Sequence, residues 1–229
     1  MEFPNTGDFL AGRLRDKLGQ DDLEYIESLV VERREAETGE VLLSRGAIAE
    51  TSTILISGYM FRTIESGNQR FIVGLHVPGD FVDLHGFALK RLDHNVDTVG
   101  PAKIAYVPHE KLREVLRDKP HLARLLWSST LLDAAMHRQW IMKLEQLTTP
   151  RRIAHIFSEL WKRLEMVGLA NGDGFETPLT QADLADMSGS TAVHANRALR
   201  ELRERGIAEF QRGKVIVQDR SALENYADF

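Results

Sequence analysis

The sequence predicts an α+β protein in which short β-prone runs gather in the first half of the chain and helices dominate the second. Between about Val31 and Val107 the runs VLL, STILISG, MFRTI, RFIVGLHV, DTV and KIAYV are separated by Gly, Asn and Asp turns. That is the pattern of a small antiparallel barrel or sandwich. From Pro120 to Thr149-Pro150 no Gly or Pro interrupts a helical composition. Beyond Pro150, helical periodicity breaks at VGLANGDGFETP and again at Ser188-Gly189, then gives way to two short strands. The 229 residues leave room for one large or two modest domains. The expected boundaries are 1–108, 109–148 and 149–229.

Composition narrows the function classes. The chain has no cysteine, which excludes disulfides, cysteine-ligated zinc and iron–sulfur clusters. Net charge is −5, and from Pro150 onward 11 Lys and Arg face 12 Asp and Glu, so any polyanion-binding surface has to be a local patch and not a basic domain. No apolar run reaches the roughly eighteen residues a membrane helix needs, and Met-Glu-Phe-Pro does not read as a secretion signal. A soluble, cytoplasmic protein is expected.

Asp8–Lys17 and Asp21–Val30 read as two short helices, the second opening on an acidic pair that suits a helix N-terminus. After the β region, HEKLREVLRD reads as a short helix, and Pro120 opens HLARLLWSSTLLDAAMHRQWIMKLEQL, about forty ångströms of helix at 1.5 Å per residue. Leu122, Leu126, Ser129, Asp133, Met136 and Trp140 make one heptad-like seam, and Leu125, Leu132, Met136 and Gln139 a second. A dimer helix is expected there, because paired recognition elements need a two-fold axis. Thr149 then caps and Pro150 takes the first position of a helix over Arg151–Met166, with Ile153, Ile156, Phe157, Leu160 and Leu164 inward. VGLANGDGFETP reads as its exit loop and lacks the Gly-Lys-Ser/Thr ending of a phosphate cradle. Ser221–Phe229 reads as a short terminal helix.

The stretch Thr180–Arg205 carries the chemistry. Thr180 is a good N-cap for Gln181–Met187, Gly189 supplies the turn, and Ser190 is expected to cap a second helix. In that helix Ala195, Ala198, Leu199 and Leu202 form the buried stripe, so Val193, Asn196, Arg197 and Arg200 point outward. Arg can bond O6 and N7 of guanine together, Asn can do the same for adenine, and Val193 can meet a thymine methyl. Thr180, Ser190, Thr191 and His194 sit where helix ends meet a phosphate backbone. Ile207–Gln211 and Lys214–Val217 then read as a hairpin with Arg212 and Lys214 at its tip, available to phosphates. Helix, turn, helix and hairpin make a winged helix-turn-helix.

On STAVHANRALRELRERG the chain resembles the DNA-binding domain of the Crp/Fnr family of bacterial transcription regulators. The resemblance puts Arg197 at the family's guanine-contacting arginine and Asn196 and Val193 at its other base-reading positions, with Val193 where Glu is frequent. GEVLLSRG and LISGYMFRT are similar to turns of the family's cyclic-nucleotide-binding β-roll, a double-stranded β-helix. The resemblance implies a homodimer on palindromic double-stranded DNA, working with RNA polymerase and gated by a small-molecule effector in the β-roll. In PGDFVDLHGFALKRLDHNVDTVG, however, Leu84 stands where the ribose-binding Glu is expected and His94-Asn95 where the phosphate-binding Arg-Ser is expected, so cyclic AMP is not. His85 falls close to the haem-ligating His of the family's carbon monoxide sensors, but Asp83 replaces their cysteine. No cofactor is expected, whether haem or metal, and Asp83, Leu84, His85, His94 and Asn95 are the effector-pocket candidates. His76, Asp83, His85, His94 and Asp97 lie close in sequence, and the alternative readings are a ligand-independent regulator and a metal-dependent β-barrel enzyme. The chain lacks the H-x-H ligand pattern such barrels use.

Overall fold

The computed structural model describes residues 2–67 and 69–228. It divides into two compact units, one of residues 1–67 and 73–135, the other of 68–72 and 136–229.

The first unit opens with a chain of turns and a single 3-10 turn at Arg15–Lys17. The helix expected over Asp8–Lys17 does not form. Leu10 and Gly12 take φ of 59° and 66°, and left-handed residues cannot continue a right-handed helix. The second expected helix is present as α1 (Gln20–Ser28). Then come β1 (Glu32–Ala36), β2 (Val41–Leu43), β3 (Thr51–Ser57), β4 (Met60–Ser66), β5 (Gln69–His76), the single-turn helix α2 (Gly86–Leu89), β6 (Asn95–Thr98), β7 (Ala102–Pro108), α3 (His109–Asp118) and the long α4 (Pro120–Gln146). The strands form two antiparallel sheets, in the orders β1-β7-β3 and β2-β6-β4-β5.

Period-two alternation explains how the β1-β7-β3 sheet is buried on both faces. Leu55 of β3 and Ala102 and Ile104 of β7 point into the roll with Met60, Val82, Leu92 and Val96. Their neighbours Ile54, Ala105 and Val107 point the other way, into a core shared with Phe9, Ile26, Leu112, Val115, Leu122 and Leu126. The helices α1, α3 and the start of α4 are thus held by the back of the sheet. β1 was not visible as a strand, because its sequence ERREA reads as a solvated charge run. Four of its five residues are exposed, and among the described residues it pairs only with β7. Glu35 stands opposite Lys103, with Nζ 3.1 Å from the carboxylate.

Inside the roll lies Arg62, whose side chain is 5% exposed. Its Nε and Nη2 donate to the Val82 carbonyl at 3.0 and 2.5 Å, and its Nη1 donates to Asp133 Oδ2 of α4 at 2.6 Å. A charge with so little water must be paired and hydrogen-bonded to persist.

The second unit contains α5 (Thr149–Met166), β8 (Ala170–Asn171), β9 (Gly174–Glu176), α6 (Gln181–Met187), α7 (Ala192–Glu204), β10 (Glu209–Gln211), β11 (Lys214–Ile216) and α8 (Arg220–Ala227). Thr148 is the N-cap of α5 and Thr149 its first helical residue, one step earlier than the expected Thr149 cap. The expected inward residues Ile153, Ile156, Phe157, Leu160 and Leu164 are buried. α7 and α8 pack on this helix. The exit loop is partly strand: β8 and β9 form a hairpin that extends the wing into a sheet ordered β10-β11-β9-β8. Phe175 of β9 is buried edge-on to Trp161, which anchors a stretch whose Gly content reads as loop. Asp219 caps α8, its carboxylate accepting from Ala222 N at 3.1 Å. Phe229, included in the expected terminal helix, lies outside the described residues.

Lys143 of α4 is fully buried, its ammonium 4.0 Å from the Trp140 ring centroid. Burial lowers its pKa from 10.5 to about 8, Glu159 opposing and Arg152 adding to the shift. The folded-state value is depressed for a base, so the unfolded chain binds the proton more tightly. The cost, on the order of 3 kcal/mol, is present in full below about pH 8 and relieved as pH rises toward 10.5. Lys143→Met keeps the volume and removes the charge. In urea titrations it should be more stable than wild type at pH 7, and the difference should shrink between pH 8 and 10. Asp133→Asn should lower stability by about 2–4 kcal/mol in the same assay, at or somewhat below the range for breaking a buried pair because Asp133 keeps some solvent.

Candidate nucleic-acid interface and sensor region

The turn of the helix-turn-helix is built from the backbone outward. Thr180 and Asp183 form a reciprocal capping box on α6. Asp183 N donates to Thr180 Oγ1 at 3.1 Å, and Thr180 N and Oγ1 donate to Asp183 Oδ2 at 2.9 and 2.6 Å. The hydroxyl and amide of Thr180 are therefore committed to a carboxylate, which leaves this helix end a poor place for phosphate. Gly189 follows with φ of 59°, and a Cβ there would stand 3.0 Å from Leu144 Cδ2. Ser190 N bonds back to Ala185 O at 2.9 Å, and its hydroxyl lies 2.9 Å from that of Ser188. The cap of α7 is Thr191, not Ser190: Thr191 Oγ1 accepts from His194 N at 3.3 Å.

Arg152 holds this turn in place. Its guanidinium donates to the carbonyls of Leu144 at 2.5 Å, Leu147 at 2.8 Å and Ser188 at 3.1 Å. It thereby satisfies the open carbonyl end of α4 and the turn before α7 together. No sequence periodicity marks it, since its three acceptors are main-chain oxygens from separate segments.

On α7 the stripe Ala195, Ala198, Leu199 and Leu202 is buried, and Val193, His194, Asn196, Arg197 and Arg200 are exposed. Arg200 Nε donates to Glu204 at 2.7 Å, one turn along the helix. The exposed polar groups nearest the N-terminal end of α7 are thus Thr191, His194, Asn196 and Arg197. The wing is a two-residue hairpin in which Arg212 and Gly213 take φ of 50° and 76°, the paired left-handed values of a type I′ turn. A Cβ at residue 213 would come within 2.6 Å of the Thr177 carbonyl, so the wing tip requires glycine. Arg212 and Lys214 are exposed there.

The effector-pocket candidates do not form one cluster. Asp83 is fully buried and serves the roll itself: its Oδ1 accepts from Thr53 N at 2.5 Å and its Oδ2 from Thr53 Oγ1 at 3.0 Å. Burial pushes its carboxyl up to about 6 despite those bonds. Leu84 and His85 line an apolar cavity of about 420 Å³ between α2, α3 and α4, with Phe87, Leu112, Leu126 and Trp127. His94 turns to His85, the two Nε2 atoms 2.9 Å apart, while Asn95 Oδ1 accepts from Arg45 N at 2.7 Å. His76 lies apart, its Nδ1 3.2 Å from Asp80, and burial lowers its pKa to about 4. Asp97 accepts from the Thr63 hydroxyl. Of the five histidines and aspartates close in sequence, only His85 and His94 meet, and the carboxylate that joins them is Asp93. Sequence spacing alone did not single out Asp93, because it lies in a charged loop.

The expected dimer seam is divided between inside and outside. Leu122 and Leu126 are buried in the chain's own core, and Trp140 is buried with Nε1 donating to Glu159 Oε2 at 2.6 Å. Ser129 and Met136 are half-buried and Leu132 is exposed. The face of α4 left outside carries Trp127, Leu131, Ala134, Arg138 and Ile141, spaced four, three, four and three residues apart.

Residues 151–226 match the family model of the Crp-like helix-turn-helix domain. The chain is 27% identical over 199 residues to the transcriptional activator protein FnrL of Cereibacter sphaeroides, covering 83% of this chain and 78% of the relative. Among solved structures it is similar to FixK2 from Bradyrhizobium japonicum, with a TM-score of 0.78 at 20% identity over 87% of this chain and 98% of the other. A CRP/FNR family transcriptional regulator from Thermus thermophilus gives 0.66 at 18% identity over 86% and 98%. A two-sheet β-roll, a 27-residue helix and a helix-turn-helix whose turn, stripe and wing are all in place give this chain the fold of those structures, and residues 151–226 are its Crp-like helix-turn-helix domain.

Proposed function

We propose that the chain is a sequence-specific DNA-binding transcription regulator of the Crp/Fnr type that acts as a homodimer on palindromic sites, with α7 in the major groove. The observation that carries this is the outward face of α7. Val193, Asn196 and Arg197 lie exposed over the first two turns of a helix whose opposite stripe is buried, which is the donor and apolar set that reads base edges. Ser190, Thr191, His194, Arg212 and Lys214 surround that face as phosphate contacts, and Arg200 can join them by releasing Glu204. Thr180 is withdrawn from this set by its capping box. DNA recognition, not catalysis, is the role this arrangement serves.

The homodimer reading rests on α4. Its outer face repeats at the four-three spacing of a coiled-coil seam, and Trp127 and Ile141 are each 65% exposed, more than a lone folded chain ordinarily leaves at that spacing. Two recognition helices fixed one turn of DNA apart then follow from the two-fold axis. Gating by a small apolar effector is supported by the cavity beside α4, and Arg62 gives the β-roll a rigid hold on the same helix. A cytoplasmic location and contact with RNA polymerase follow from this role, and among the described residues no helix is long and apolar enough to cross a membrane. The relatives' names, a transcriptional activator and a transcriptional regulator, support the reading.

Selection from a random duplex pool at fixed salt tests it. A palindrome with half-sites about ten base pairs apart is the expected product; no enrichment with well-folded dimer, with and without cell extract, would overturn it. On the selected site, Arg197→Ala should cost about 1–3 kcal/mol and relax one base pair, whereas Arg212→Ala should weaken all sequences alike and lower the salt slope by about one. In light scattering, Trp127→Asp and Ile141→Asp should each split the dimer, whereas Leu132→Asp should have a smaller effect.

A further inference from the structure

We propose that His85, Asp93 and His94 form a binding site for one divalent transition-metal ion of the zinc class. The three side chains come from different local structures: His85 is the N-cap of α2, and Asp93 and His94 end the loop that leads into β6. Their ligand atoms all lie within 4.8 Å of one another. The two Nε2 atoms are 2.9 Å apart, and Asp93 Oδ1 is 3.8 Å from His94 Nε2. An ion about 2.05 Å from both nitrogens would subtend an angle of about 90°, open to the tetrahedral value by a few tenths of an ångström of movement. Asp93 can complete the shell, since its side chain is 79% exposed and free to swing.

A second observation points to a ligand. His94 Nδ1 donates to the Asn95 carbonyl at 3.0 Å, the bond by which metal-binding imidazoles are oriented and held in one tautomer. With its proton on Nδ1, His94 presents the Nε2 lone pair toward His85. An ion between the rings takes both lone pairs, and the proton of His85 sits on Nδ1 of the same ring, so no net proton is lost. The positive charge of Arg62 is offset by Asp133 at 2.6 Å, and Asp93 adds the anionic ligand. Two imidazoles and one carboxylate, with no thiolate in the chain, suit zinc and its neighbours and leave a position for water or an exogenous ligand. Because His85 also lines the apolar cavity, an ion here would fix one wall of it. This inference does not depend on DNA binding.

The test titrates metal-free, untagged full-length protein with Zn²⁺ by calorimetry, against a competing chelator if binding is tight, and with Co²⁺ by visible absorption. One ion per chain is expected, with the d–d bands of a four- or five-coordinate site. His85→Gln and His94→Gln should each weaken binding more than about 100-fold, beyond what loss of a merely supporting hydrogen bond costs. Asp93→Asn, on an exposed side chain whose replacement leaves the fold intact, should weaken it about 10-fold, and His121→Gln should leave it unchanged. Circular dichroism on each variant separates loss of the site from loss of the fold. Absence of Zn²⁺ binding by the wild type would mean that the two rings are a neutral hydrogen-bonded pair only, and would overturn the proposal. So would binding that survives His85→Gln and Asp93→Asn.

Discussion

A guanidinium nearly stripped of water sits in the β-roll, and much of the first unit is arranged around keeping it satisfied. Arg62 spends two of its nitrogens on the Val82 carbonyl and a third on Asp133. The first acceptor fixes the chain just before Asp83, Leu84 and His85, and the second fixes α4. Losing either leaves a buried cation with an open donor, which costs more than most single contacts in a small domain. Gly74 on the neighbouring strand is part of the same arrangement, since a Cβ there would come within 3.3 Å of Arg62 Cδ. The long helix is therefore bound to the roll by a directional, hydrogen-bonded ion pair, as well as by apolar contacts that tolerate sliding.

That distinction matters for how a signal could travel. Leu122 and Leu126 hold α4 by non-directional burial, which resists separation but only weakly fixes rotation about the helix axis. The Arg62–Asp133 pair is directional and lies two to three turns further along. The segment from Val82 to His94 contains the cavity wall, α2 and the paired imidazoles. A change in that segment that moved the Val82 carbonyl would thus be felt first by Arg62 and next by α4. At the other end Arg152 gathers carbonyls from the close of α4 and from the turn before α7. The helix is thus gripped at its midpoint and at its C-terminal end by arginines working on oxygen acceptors.

Much of this was legible in the sequence wherever one local rule decided the outcome. The helix-turn-helix was readable from Thr180, Gly189 and the Ala195–Leu202 stripe because capping, positive φ and 3.6-residue periodicity are local effects. The β-roll strands were readable where β-branched residues clustered. β1 was missed because an edge strand facing water has no hydrophobic pattern to show, and β9 because a single buried Phe175 among glycines gives no periodicity. Arg62 was missed because nothing in MFRTIES distinguishes a buried arginine from a solvated one; only the fold brings Asp133 to it across 71 residues. On α4 one periodicity runs along two sides of the helix. Leu122, Leu126 and Trp140 share a periodicity with Trp127 and Ile141, and periodicity cannot say which stripe the chain keeps for itself.

The charged edge strand also bears on behaviour at high local concentration. ERRE is a palindrome of charge sign, so an antiparallel copy laid symmetrically on β1 sets Glu32 opposite Glu35 and Arg33 opposite Arg34. Like charges directly across a strand pair repel, and the open amides of the edge are thereby denied to an identical neighbour. Copies crowded at high local concentration are thereby kept from joining their sheets along this edge.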